Sequence, residues 1–156
     1  MYKFIGIAAL AAVVGAASAQ VQTVAIKVGN LHCEGCVAPV VQGIKAIKGV
    51  QAADLSYKTG IATVRFDEAK AAVSQIVNAL PSIPHAMGPK FGKYSGLLSV
   101  KLMRGDPARA AASVSKVAGV AKATVDKGAL HIAFKPNSLV KMAQIDQAIA
   151  KSGGQR

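Results

Sequence analysis

This chain has no tryptophan, two cysteines, and 7 acidic residues against 19 basic ones. Each scarcity excludes something. Two cysteines cannot build a disulfide framework, and they weigh against structural zinc, which usually takes four protein ligands in a closed site. Aromatic residues make up 4% of the chain, with no stacking platform interleaved among the lysines, which are scattered along its whole length. A nucleic-acid partner is therefore not expected, despite a formal charge of +12. The longest apolar run, Phe4 to Ala17, is roughly 14 residues, short of the ~20 that a transmembrane helix needs. There is no paired-carboxylate motif, no Gly-rich phosphate loop and no Ser/His/Asp arrangement in recognisable context, so no enzyme is expected.

What is present begins with a secretory leader. Lys3 supplies the positive start, Phe4 to Ala17 the apolar stretch, and Ala17-Ser18-Ala19 the small-x-small pattern before a cleavage point. No cysteine follows directly, which argues against lipid attachment. Residues 1–19 are read as a signal peptide and the mature chain as starting at Gln20, in a periplasm or outside the cell, with no transmembrane span after cleavage. The excess of lysine then fits an acidic partner protein or an anionic membrane surface, besides simple solubility.

The mature chain carries one pattern twice. In the first copy Val21 to Val28 alternates as a half-buried strand does. Val37, Val40, Val41, Ile44 and Ile47 recur at helical spacing, and Gly49-Val50 ends that helix. Strands follow at Ala52 to Tyr57 and Ile61 to Phe66 around a Lys58-Thr59-Gly60 turn. Asp67 is the expected cap of a second helix with Val73, Ile76, Val77 and Leu80 inward. The second copy places a strand at Leu98, Val100 and Leu102, a helix opened by Asp106-Pro107, and a Gly119-Val120 that matches Gly49-Val50. A hairpin from Ala121 to Phe134 follows, then a helix from Ser138 to Lys151 with Leu139, Met142, Ile145 and Ile149 inward. Residues 81–96, rich in Pro and Gly, are expected to hold any fourth strand of the first copy together with the connector. The divisions are thus 20–94 and 95–156.

The copies differ at the strand-to-helix loop, which is four residues shorter in the second and lacks cysteine. In the first copy that loop reads Asn30-Leu31-His32-Cys33-Glu34-Gly35-Cys36. A thiolate is a soft ligand that prefers thiophilic ions such as Cu(I), and two at Cys-x-x-Cys spacing can converge on one ion. The start of the following helix adds partial positive charge and free N–H groups, which lower a nearby thiol's pKa.

Together these features resemble the heavy-metal-associated domain, the family of copper chaperones, of the metal-binding modules of copper-transporting ATPases, and of the periplasmic mercury-binding protein. Its motif is Gly-Met-x-Cys-x-x-Cys between the first strand and first helix. Here Leu31 stands for the usual Met, which packs under the loop, and Asn30 for the usual Gly. The resemblance covers Val21 to Leu80 well and the second copy by pattern. It implies an α+β fold of two ferredoxin-like βαββα(β) units in tandem, an antiparallel sheet with helices on one face. It further implies reversible binding of one soft ion by Cys33 and Cys36, Cu(I) favoured and Hg(II) the alternative, with hand-over to a partner's thiols.

His85 is the candidate auxiliary donor, because in this family the loop after the second helix approaches the cysteines. Met87 is a weaker donor whose ordinary role would be core packing, and His32 is expected to point outward. Lys90 and Lys93 could offset the charge of a two-thiolate Cu(I) centre. His131, on the face opposite Leu130, Ile132 and Phe134, is expected to be exposed. Two rival readings remain: a thiol-disulfide redox protein, since an oxidising compartment could close Cys33 to Cys36, and a docking protein with a vestigial site.

Overall fold

The computed structural model describes residues 20–156, so the expected signal peptide lies outside the described residues. Strand β1 (Val21–Gly29) leads through the cysteine loop into helix α1 (Val37–Lys45), followed by β2 (Val50–Ser56), β3 (Ile61–Asp67) and α2 (Val73–Ala79). Then come β4 (Ser95–Lys101), α3 (Pro107–Val114), β5 (Val120–Asp126), β6 (Ala129–Phe134) and α4 (Met142–Lys151). Among the described residues the strands form one antiparallel sheet in the order β2-β3-β1-β4-β6-β5. Alternation puts Val24, Ile26, Val64, Phe66, Leu98, Val100, Leu130 and Ile132 on the face the helices cover, all 5% exposed or less. Thr23, Lys27, Thr63, Arg65 and Lys101 face solvent on the other side.

The order of the strands explains how two short units close. β1 and β4 are antiparallel neighbours at the middle of the sheet, with Ile26 opposite Leu98. β4 is therefore the fourth strand of the first unit and the first strand of the second, while β1 fills the fourth place of the second unit in return. The fourth strand expected within residues 81–96 is not a separate element. That segment holds two single 3₁₀ turns, Leu80–Ser82 and Pro89–Phe91, and Ser95–Lys101 serves both halves.

The internal repeat extends to backbone detail. Gly49 and Gly119 follow α1 and α3 at φ +100 and +94, the left-handed geometry that only glycine takes cheaply. Their carbonyls accept from Asp67 N and Lys135 N, both at 2.8 Å. Asp106 caps α3 as expected, accepting from Ala108 N at 2.8 Å.

Two helix starts differ from expectation. Asp67 accepts from Ala69 N at 3.0 Å in a turn, and α2 begins only at Val73, where Gln75 Oε1 accepts from Ala72 N at 2.9 Å. In the same way α4 begins at Met142 rather than Ser138, with Gln144 Oε1 accepting from Lys141 N at 2.9 Å. Both helices thus start from a glutamine reaching back. Leu139, expected inward, is 67% exposed, because residues 138–141 are tied to Ser74 of α2 and do not turn as helix. His131, expected to be exposed, is buried. It lies on the open face between Ser99 and Thr124. On the same face Lys27 of β1 reaches Asp126 of β5 at 3.8 Å across the intervening strands.

Candidate metal centre

β1 delivers the chain to one end of the sheet, and the loop turns there on Asn30, whose φ of 62 is left-handed. Asparagine is among the few residues that tolerate this conformation, which is why it can stand where the resembled family has glycine. Its Nδ2 donates to Lys93 O at 2.7 Å. Leu31 packs against the core beneath the loop. Cys33 is extended, a single 3₁₀ turn runs Glu34–Cys36, and α1 follows directly. Cys36 N donates to Cys33 O at 3.0 Å, and this tight turn brings Cys33 Sγ and Cys36 Sγ to 3.1 Å.

The two sulfurs are not equivalent. Cys36 is fully buried, whereas Cys33 is partly exposed. Burial pushes the Cys36 thiol up, but hydrogen bonds from Cys33, from the Tyr94 hydroxyl and from the backbone of His32 and Cys33 together hold it below the ordinary cysteine value. Cys33 is pushed up, first because it holds the hydrogen it shares with Cys36 and then by burial. The buried thiol therefore ionises before the accessible one.

Tyr94 was not singled out by sequence reasoning. It lies in the segment without periodicity, one residue before β4, and is 1% exposed. Its oxygen accepts from Ala86 N at 3.1 Å, and its ring stacks on His85 with centroids 4.6 Å apart. The available signal was weak, one of two aromatics, with Phe91, in a segment rich in Pro and Gly. The hydroxyl, which accepts from Ala86 N, holds the Cys36 thiol down from nearby without being a ligand. Tyr94 itself is pushed up, mainly by burial. Replacing Tyr94 by Phe should therefore raise the pH at which Cys36 ionises, followed by thiolate absorbance of the reduced protein. An unchanged titration would remove Tyr94 from the site.

His85 does reach the cysteine loop, but its nitrogens are engaged. Nδ1 accepts from Met87 N at 3.2 Å, so Nε2 carries the hydrogen and donates to Asn30 O at 3.0 Å. His32 is exposed, with its ring 5.5 Å from His85 and 5.8 Å from Phe91. Met87 is 41% exposed rather than packed in the core. The Lys90 ammonium lies 5.3 Å over the Phe91 ring. Among the described residues no group of three or more His, Cys, Asp or Glu is placed to hold a metal ion. The arrangement can thus offer one ion two sulfurs, one buried and one open to an incoming ligand.

Known proteins resemble parts of this chain. Residues 25–84 match the heavy-metal-associated domain. The mercuric transport protein periplasmic component of Pseudomonas fluorescens is 37% identical over 79 residues, 51% of this chain and 87% of that protein. That of Serratia marcescens is 34% identical over the same shares. Among solved structures, oxidized MerP from Ralstonia metallidurans CH34 is 27% identical over 50% of this chain and 96% of its own, with a TM-score of 0.43. The water-soluble region of the P-type ATPase CopA from Bacillus subtilis is 20% identical over 88% of this chain and 90% of its own, with a TM-score of 0.44.

Proposed function

This chain belongs to the heavy-metal-associated domain family, and from that premise we propose that it is an exported carrier of one soft metal ion, bound by Cys33 and Cys36 and passed to a thiol-bearing partner. The observation that carries the reading is the cysteine pair itself, two sulfurs 3.1 Å apart with one fully buried. Cys36, the buried sulfur and the first of the pair to ionise, anchors the ion. Cys33, on the open side, is the sulfur a partner's thiol displaces, since exchange of a soft ion proceeds by adding the incoming sulfur before the outgoing one leaves.

Hg(II) is the favoured cargo, with Cu(I) second. Two thiolates cancel the charge of Hg(II), and a neutral centre suits a site whose inner sulfur is sealed from water. The same pair around Cu(I) keeps one negative charge. The names of the relatives, mercuric transport proteins of the periplasm, support the same ion and compartment. None of the described helices is long and apolar enough to cross a membrane. An acidic recipient fits the basic chain.

Ligand ionisation sets the pH dependence. Loading releases both thiol protons when Cys36 is still protonated, and only that of Cys33 once Cys36 has ionised; above both values none is released. Apparent affinity should thus rise with pH and flatten above the raised Cys33 value. Proton release measured calorimetrically in buffers of different ionisation enthalpy checks this. A release of zero at neutral pH would contradict it.

The redox rival needs an accessible thiolate as nucleophile. Here the depressed thiol is buried and the accessible one is raised, the reverse of what attack on a protein disulfide requires.

A further inference from the structure

The half without cysteines is stapled to the metal half along a polar seam. Ser74, fully buried, donates to Ser138 O at 2.7 Å and accepts from Val140 N at 2.8 Å. Its own N–H donates to Val140 O at 3.3 Å. One turn further along α2, Asn78 Nδ2 donates to Lys135 O at 2.9 Å. Met142 N donates to the buried carboxylate of Glu68. These bonds account for the late start of α4, because residues 138–141 stay extended to reach α2. On the sheet side, β4 is held along its outer edge by β6, from Leu98 opposite Ile132 to Lys101 opposite Ala129.

The segment strung between α2 and β4 is bonded to the cysteine loop at Asn30, through His85 Nε2 and Lys93 O. It leaves α2 at Ala79, carries His85, Phe91 and Tyr94, and enters β4 at Ser95. Its two ends are drawn close. A Cβ on Gly96 would stand 2.3 Å from Leu80 Cδ1 and 3.2 Å from Val77 O. The α2 end is thus bonded to the second half beside Ala79, through Asn78, while at the other end Ser95 and Gly96 pair with β1 and the grip of β6 begins at Leu98.

We propose that the second half is the brace of the metal site. By gripping α2 and β4 it holds His85 and Tyr94 against the cysteine loop, so that closure of that loop and folding of the second half are one equilibrium. The functional meaning rests on the two-thiolate reading, whereas the mechanical coupling does not require metal. Two amides report the closure directly. Ala86 N–H donates to the Tyr94 oxygen and Met87 N–H to His85 Nδ1, so each exchanges with solvent when those side chains withdraw.

The test is amide hydrogen exchange on the full reduced chain, as wild type, Ser74→Ala and Asn78→Ala, without metal and with one equivalent of Hg(II). Ser74→Ala strips the acceptor from a buried N–H. Without metal, Ala86, Met87 and the β6 amides should exchange about ten- to hundredfold faster together. Asn78→Ala removes one half-buried contact and should show the same pairing at smaller size, which keeps the test open where Ser74→Ala fails to fold. Hg(II) should protect the β6 amides by the same factor as Ala86 and Met87, since a ligand of the native state stabilises the whole cooperative unit. Faster β6 exchange with wild-type rates at Ala86 and Met87 would overturn the brace, as would Hg(II) protection confined to the first half. Hg(II) that protects no amide would overturn the metal reading instead, and the metal-free comparison would still decide the brace.

Discussion

Replacing Cys33 and Cys36 together by serine is expected to abolish stoichiometric Hg(II) and Cu(I) binding while leaving the fold intact. A serine hydroxyl is a hard donor that does not ionise near neutral pH, so affinity for a soft ion should fall by several orders of magnitude. The fold should survive because serine nearly matches cysteine in volume. At position 36 the new hydroxyl can also keep the bond from Tyr94 that the buried sulfur now receives. Each single replacement should lose most of the affinity too, because one thiolate cannot hold the ion against competing thiols. Titration against a competing chelator, with circular dichroism as the control for folding, checks both halves of the statement. Stoichiometric binding in the doubly substituted chain would place the ion elsewhere.

Ending the chain at Tyr94 should leave residues 20–94 without a cooperative unfolding transition. The cut removes β4, and with it Leu98 and Val100, both buried against the helices. It also strips β1 of the ladder that runs from Ala25 opposite Ser99 to Gly29 opposite Ser95. Loss of a buried leucine alone costs about 2–5 kcal/mol, against a whole-domain stability of about 5–15 kcal/mol. A chain ending at Lys101 restores the strand but leaves its outer edge and the seam on α2 unpaired, so it should fold only weakly. Thermal unfolding of the two truncations beside the intact chain separates these outcomes. A fully native 20–94 would mean that the halves close independently.

The elements that could be read from the sequence were those whose pattern is local. The alternation of β1, the Lys58-Thr59-Gly60 turn, the matched Gly49 and Gly119, and the Asp106-Pro107 helix start each follow from neighbours in the chain. What stayed hidden depends on contacts between the halves. The fourth strand of the first unit is β4, shared between β1 on one edge and β6 on the other, and no local pattern shows that sharing. The start of α4 is decided by Ser74, which keeps residues 138–141 extended. At the site, Cys33 and Cys36 carried their own signal through spacing and the helix that follows. Tyr94 carried little, since two aromatics three residues apart set no period, and its burial and stacking on His85 emerge only in the fold. His85 was legible as a neighbour of the loop, but the use of both its nitrogens on backbone groups was not.

The measurement that bears most directly on a two-thiolate carrier is X-ray absorption at the mercury edge of the reduced chain loaded with one equivalent of Hg(II). Two sulfur neighbours and no nitrogen are expected, with Cys33 and Cys36 both protected from alkylation and His85 outside the coordination shell. A nitrogen neighbour at bonding distance, or alkylation of both cysteines in the loaded protein, would contradict it.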